Sequence, residues 1–548
     1  VFVFVGATGA ISGSASTSSW GRAIQVPGTA NKQGIGVVSS VSCPAAGTCA
    51  VVGQFAYGNT ALAFVVNEKK GTWGNAMKVR GIGNGLADAT SVSCPTAGNC
   101  AAGGWHSSDH RQVFVVDEKN GSWGEAINVP GVDSLSSGGS ADLNSVSCAT
   151  PGNCVAGGDY DGSVQGAFLA DEKNGSWGKA ISVPGMHALN GGGEATVQSV
   201  SCATAGNCSA GGFYFSSDGS HAFVVDEKNG VWGPAIEVPG TEALGSGGAN
   251  VSSVSCAGAG NCAAGGMYVD ATDRWQAFVV DETNGTWGTA IEVPGTATLN
   301  SGGRASVNSV SCAAAGTCAA GGTYEDGPDF PTGHERAFVV DETNGTWGNA
   351  IELPGTGTPG LAAWVSSISC ATAGNCTAGG SYFRSRSEII VAEETSGSWG
   401  NAIEVPGDTA LVRDGTADVN SLSCGAHDVC VIGGYYSPNS APQGAFVAGS
   451  GTRPLTVPSA PHLKSAAPGN MEIDVTWSKP VDKGGVPIVG YRATAKAGGH
   501  VFPCRTKSKL SCTIAGLKNG TTYTVTVTAE NTVGRSKPSI AKTARPRR

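Results

Sequence analysis

Charged side chains are scarce in this chain, making up 14% of its 548 residues. Such low charge, together with 40% apolar residues, excludes a disordered polyelectrolyte. No internal apolar run is long enough to span a bilayer, so no membrane span is expected. Several catalytic patterns are also missing. There is no Ser-His-Asp context, no phosphate-binding glycine loop and no histidine cluster at metal-ligand spacing, the eight histidines being scattered. No cofactor, no metal and no catalytic residue is therefore expected.

Cations are missing from most of the chain. Residues 1–452 hold 17 Lys/Arg against 38 Asp/Glu, a net charge of −21; residues 453–548 hold 16 against 4, a net of +12. Opposite signs point to two modules with different surroundings. The acidic part lacks the clustered cations that phosphate contacts require, which excludes nucleic acid as its partner.

What is abundant is glycine (85 residues) and cysteine (18). Sixteen cysteines fall in a Cys-x5-Cys pattern whose first members are residues 43, 94, 148, 202, 256, 312, 370 and 424, at steps of 51–58. Eight Trp-Gly dipeptides keep step, beginning at Trp20, Trp73, Trp123, Trp177, Trp232, Trp287, Trp347 and Trp399. Each repeat reads as four strands. In residues 309–355, strand a carries Ser-Val-Ser-Cys and a five-residue turn leads to strand b. Strand c is Ala-Phe-Val-Val-Asp, and an Asn-Gly turn leads into strand d at Trp-Gly.

Cysteines flanking a five-residue hairpin turn face each other at the Cα separation a disulfide needs, about 4.4–6.8 Å. The expected pairs are Cys43–Cys49, Cys94–Cys100, Cys148–Cys154, Cys202–Cys208, Cys256–Cys262, Cys312–Cys318, Cys370–Cys376 and Cys424–Cys430. Cys504–Cys512 is the ninth. Zinc sites favour shorter spacings with a second ligand pair, so an oxidising, extracellular compartment is the reading. Each bridge closes a small loop and contributes about 2 kcal/mol; its main effect is to pin hairpin register among glycines.

Eight four-stranded units of about fifty residues predict an all-β, eight-bladed β-propeller. Residues 20–28 supply a strand d with no blade before it, and residues 421–448 supply strands a to c with no Trp-Gly after them. Joined, they complete the eighth blade and cover edges that the rival fold, an open β-solenoid, would expose. The expected domains are 1–15, a signal-peptide remnant; 16–450, the propeller; 451–456, a linker; and 457–548, a second module.

The repeat resembles the kelch unit of propeller proteins. The resemblance rests on Gly321-Gly322 closing strand b, Phe338-Val-Val-Asp341, the Thr-Asn-Gly-Thr-Trp turn and the closing Leu-Pro-Gly. It departs from kelch at Val340, where a tyrosine often stands, and in the added cysteine pair. Copper-radical oxidases, the enzymes known on kelch-like propellers, need a free cysteine beside a tyrosine; every cysteine here has a partner. The tail resembles a bacterial fibronectin type III domain, through Val457-Pro-Ser-Ala-Pro461, Trp477, Tyr491 and Leu517-Lys-Asn-Gly-Thr-Thr-Tyr523. That resemblance implies that the Tyr523 hydroxyl ties a corner of the backbone.

Within the repeat, the a–b and c–d turns are nearly constant, whereas the b–c and d–a connections vary and share one side. Loops on a rigid scaffold are where recognition is built. The candidate ligand-binding residues are Trp105, Arg274 and Trp275, which break the repeat, and Tyr160, Tyr214, Tyr268, Tyr324 and Tyr382, which recur six residues after the second cysteine. The alternative for the tyrosines is packing between blades. The Asp-Glu pairs (Asp226-Glu227, Asp281-Glu282, Asp341-Glu342) read as hairpin chemistry, their neighbours pointing to opposite faces. Asp159 and Asp161 read as solvated turn residues. The expected protein is a secreted, monomeric, non-enzymatic binder of a glycan, polysaccharide or extracellular protein. Its basic module acts as a spacer, or attaches to an anionic cell envelope or polysaccharide. An extracellular carbohydrate-active enzyme and a structural surface protein are the alternatives.

Overall fold

A computed structural model describes residues 20–548, apart from 30–34, 58–59, 84, 108, 163–164, 246, 328–333, 359–360, 384–385, 414, 426–428, 440–441, 451–456, 481–487 and 532–533. The signal-remnant reading of 1–15, the linker 451–456 and the middle of the 325–336 loop lie outside the described residues. The chain divides into two compact units, Val1–Gly451 and Thr452–Arg548.

The first unit is all antiparallel sheet plus five one-turn helices. We number its eight sheets by their first strands: Gly36–Ala45, Ala87–Thr96, Ala141–Thr150, Ala195–Thr204, Ala249–Gly258, Ala305–Ala314, Ala362–Thr372 and Thr416–Gly425. Sheet 6 is representative: Ala305–Ala314, Thr317–Asp326 and His334–Thr343 pair in chain order, and Thr346–Trp347 and Ile351–Glu352 both pair with the third strand. The expected strand d is therefore two short pieces. Between them Ala350 turns its amide away from the ladder and donates it to Pro294 O of sheet 5 at 2.7 Å. In sheet 8 the outer strand comes from the chain start: Ile24 pairs with Val447 and Gln25 with Phe446.

Three repeated motifs join one sheet to the next. The two serines of Ser-x-Ser-Cys accept hydrogen bonds from the first strand of the following sheet. Ser145 and Ser147 take the amides of Val200 and Cys202, both at 3.0 Å. In sheets 3 to 7 the tryptophan indole N–H reaches back to an aspartate of the preceding sheet, as Trp232 does to Asp171 at 2.9 Å, and Trp123 and Trp20 reach Asn67 and Glu393 in the same way. The tryptophans thus pack against the preceding sheet rather than the following one. Third comes the Ala-to-Pro backbone bond just described. The serine and Ala-to-Pro contacts also run between the last sheet and the first: the amides of Val41 and Cys43 donate to Ser421 and Ser423 at 3.0 and 2.9 Å, and Ala76 N donates to Pro27 O, while Ala23 N donates to Pro406 O between sheets 8 and 7.

The glycine pair of strand b serves two close approaches. A Cβ on Gly211 would lie 2.7 Å from Val251 of the next sheet, and one on Gly212 would overlap the Thr196 carbonyl oxygen, where the ladder shifts register between Val197 and Ser199. All nine cysteine pairs are bridged, with Cα atoms 4.2 Å apart at Cys43–Cys49 and 6.3 Å at Cys504–Cys512. Five d–a connections that read as loops contain a helical turn, for example Thr241–Leu244, each entered through a Pro-Gly whose glycine has positive φ, 93° at Gly240.

The second unit packs a three-stranded sheet (His462–Pro468, Glu472–Ser478, Ser511–Ala515) and a four-stranded one in the order His500–Thr506, Gly490–Ala497, Tyr523–Glu530, Lys542–Ala544. Trp477 and Tyr491 are buried in its core. The Tyr523 hydroxyl accepts the Lys518 amide at 2.9 Å, the corner tie the motif implied.

Candidate functional site

The first strand of every sheet alternates two faces. On one face small apolar residues recur, Ala141 and Leu143 in sheet 3, Ala195 and Val197 in sheet 4, Ala249 and Val251 in sheet 5, all buried. On the other face the residues vary from sheet to sheet, with Asp recurring at Asp88, Asp142 and Asp418 and Asn at Asn144, Asn308 and Asn420. Register brings these unlike positions together across the first hairpin: Asp88 opposite Trp105, Asp142 opposite Asp159, Thr196 opposite Phe213, Asn250 opposite Met267, Trp364 opposite Ser381, Asp418 opposite Tyr435.

On sheets 2 to 5 this face lines an open cavity of about 700 Å³, formed by Trp105, Arg111, Asp142, Asn144, Asp159 and Phe213, with Thr90, Leu143, Thr196, Gln198 and Ser252. Asp142 opens a first strand, Asp159 ends a second and Arg111 opens a third. The cavity therefore lies at the end of the sheets where the variable b–c and d–a connections emerge.

Its polar groups are held by one another. Arg111 stacks its guanidinium 4.3 Å above the Trp105 ring centroid, and its Nη1 donates to both Asp142 oxygens at 3.0 and 3.1 Å. Asn144 donates to Asp159 at 3.1 Å and to the Val197 carbonyl at 3.0 Å. Burial pushes the Asp159 carboxyl up to about 6 despite the Asn144 hydrogen bond, with the charges of Asp142 and Asp161 adding to the rise. Burial does the same to Asp88, also to about 6, against a hydrogen bond from Ser39. Asp418 is raised by burial too, while accepting Trp364 Nε1 at 2.9 Å and Ser381 Oγ at 2.8 Å.

Of the eight candidate ligand-binding residues, Trp105 alone is on this lining. Tyr160, Tyr214, Tyr268, Tyr324 and Tyr382 are 6%, 3%, 3%, 4% and 2% exposed, so none offers a ring face to a sugar. They sit in the hydrophobic clusters between sheets, and Tyr214 and Tyr268 donate to Glu237 and Glu292. Arg274 stays on the b–c connection of sheet 5 and Trp275 opens its third strand, both outside the lining. Trp275 is 38% exposed, and the Arg274 side chain lies against Gly303. Asp159 is a strand residue facing the cavity, not a solvated turn residue. Sequence reading missed Arg111, Asp142, Asn144 and Phe213. The signal for Arg111 and Phe213 was a variable position inside a strand that otherwise repeats; Asp142 and Asn144 recur in only a minority of sheets, as Asp88 and Asp418 and as Asn308 and Asn420.

The opposite end of the sheets is built from repeats alone. Cavities of about 300 and 260 Å³ open between sheets 2 and 3 and between sheets 6 and 7. Their acids come from the Asp-Glu pairs and, in sheet 7, from Glu394; the paired residues do point to opposite faces: Asp226 accepts from Trp287 of the next sheet, while Glu227 faces Asp171 of the one before. Burial, with the facing aspartate second, raises Glu172, Glu227, Glu282, Glu342 and Glu394 to about 7.

Residues 458–545 match the fibronectin type III domain. A kelch domain-containing protein of Saccharolobus solfataricus is 31% identical over 107 residues, which is 20% of this chain and 14% of that protein. Among solved structures, the twitchin kinase region from C. elegans matches 17% of this chain and 17% of its own at 26% identity and a TM-score of 0.16. The FN5 domain of Drosophila Lar matches 17% of this chain and 99% of its own at 26% identity and a TM-score of 0.15. Among the described residues, no helix is long and apolar enough to cross a membrane.

Proposed function

We propose that the eight sheets close into a kelch-like, eight-bladed propeller, and that the chain is a secreted protein whose cavity binds a glycan. Closure is supported by the contacts of the eighth sheet on the first, which use the same serine atoms as every internal junction and the same alanine-to-proline bond as all of them except that of sheets 1 and 2, where Arg80 O accepts. Secretion is supported by the nine disulfides.

The observation that carries the glycan reading is the concentration of unlike side chains on one face of an otherwise uniform repeat. A cavity of about 700 Å³ is of the size that holds a small-molecule ligand. Trp105 and Phe213 provide apolar faces for the C–H side of a sugar ring. Asp142, Asn144 and Asp159 provide acceptors and an amide donor for its hydroxyls. The test is titration of the full chain with a panel of neutral and acidic oligosaccharides. Trp105→Ala should weaken the best ligand about tenfold and leave the melting temperature unchanged. Equal affinity in the variant, or no glycan bound at all, would sink the reading.

One observation favours a second reading, a carbohydrate-active enzyme. Asp142 and Asp159 are direct cross-strand neighbours in unlike settings, one held by Arg111 and the other pushed to about 6. Two carboxyl groups so divided can share acid and base roles. Hydrolysis of the bound glycan, abolished by Asp159→Asn, would establish it.

A further inference from the structure

The second unit carries its charge unevenly. In its four-stranded sheet, Tyr491, Ala493 and Ala495 point into the core, so Arg492, Thr494 and Lys496 share the outer face. Register places Arg505 directly opposite Arg492, Pro503 opposite Thr494 and Val501 opposite Lys496. On the other side, Thr528, Thr526 and Thr524 face the same three residues, and Thr494 and Thr526 bond at 3.1 Å.

Like charges directly opposite on a sheet repel and lower its stability. Nothing on these four strands offsets the Arg492–Arg505 pair. The acid on this face, Glu530, is already taken by Arg535 at 3.0 Å, and Arg492 Nε has no hydrogen-bond partner among the described residues. Lys496 stands four residues along the strand from Arg492, about 13 Å. Cations spaced along a flat polar strip suit a polymer whose negative charge repeats, rather than one small anion. The face carries no aromatic ring, since Phe502 turns inward against Tyr523. It therefore lacks the stacking platform on which single-stranded nucleic acids depend.

We propose that this outer face, centred on Arg492, Arg505 and Lys496, is a docking surface for an anionic polysaccharide. It is independent of the cavity on the first unit: neutral or acidic oligosaccharides there and a polyanion here are separate binding events.

The full chain is titrated with dextran sulfate, uncharged dextran, single-stranded poly(dT) and phosphatidylglycerol vesicles, each at several salt concentrations. Dextran sulfate should bind, with affinity falling as salt rises, and uncharged dextran should not. The double variant Arg492→Gln/Arg505→Gln should lose about tenfold in dextran sulfate affinity. Lys464→Gln/Lys537→Gln, which removes the same charge from outside this face, should lose less than about twofold. If the first pair lowers the melting temperature, Lys496→Gln replaces it, with the same expected direction. Equal losses in the two pairs would mean diffuse attraction and overturn the site. So would absence of dextran sulfate binding, or tighter binding of poly(dT) or the vesicles.

Discussion

The two ends of the eight sheets are made from the same strands and differ in what varies. At the turn end, sheets 2 to 6 contribute the same Asp, Glu, Trp and Gly to their neighbours. At the cavity end, the pairs Asp88–Trp105, Asp142–Asp159 and Thr196–Phe213 share a register position and differ in chemistry. An element that must fit two identical neighbours has little chemical freedom. One that faces an open cavity has only solvent to satisfy, so its side chains are free to diverge toward a ligand.

The sharpest way to break this comparison is to alter the close approach inside a sheet's first hairpin. Gly212→Ala should destabilise the protein by about 3 kcal/mol, because the added Cβ overlaps the Thr196 carbonyl. Gly83→Ala, at a position with nothing nearby, should cost little, and thermal melts of both would show it. A smaller effect tests closure. Ser147→Ala leaves the Cys202 amide without its partner, at a cost of about 1–2 kcal/mol. Ser423→Ala does the same to Cys43 at the junction of last and first sheets, and should cost as much. A negligible cost there alone would mean that the junction is open in solution.

The pH dependence should follow the turn end. Glu172, Glu227, Glu282, Glu342 and Glu394 titrate near 7 in the fold against an ordinary value of 4.5. The folded state therefore holds more protons. Its stability from them is fully present below about pH 4.5 and is lost as pH rises through 7. Melting temperature should fall between pH 5 and 8. Glu342→Gln, which faces Asp281 with a permanently neutral side chain, should flatten that fall. A profile rising over the same interval would contradict the burial argument. The smallest expected effect is at the cavity: Arg111→Gln should shift stability by less than about 0.5 kcal/mol while changing ligand affinity.

Much of this was legible before any coordinates. The repeat length, the cysteine pairing and the Asn-Gly turns are local properties, set by spacing and backbone preference, and the four-strand reading followed from them. The Tyr523 corner was legible because its motif is short and its hydrogen bond spans five residues. The tyrosines read either as a ring for sugars or as packing between blades, because sequence shows that a ring recurs and not which way it faces; the structure buries them between sheets. The serines of Ser-Val-Ser-Cys read only as strand alternation, since their partners lie more than fifty residues away, 380 for Ser423 and Cys43.

Taken alone, the amino-acid order determined the strands, turns, bridges and the division into an acidic repeat and a basic module, all fixed by interactions within a few dozen residues. Tertiary structure alone decided which strand positions face a neighbouring sheet and which face the cavity. That choice depends on register across hairpins and on packing between sheets. Both are set by long-range contacts that no local pattern encodes.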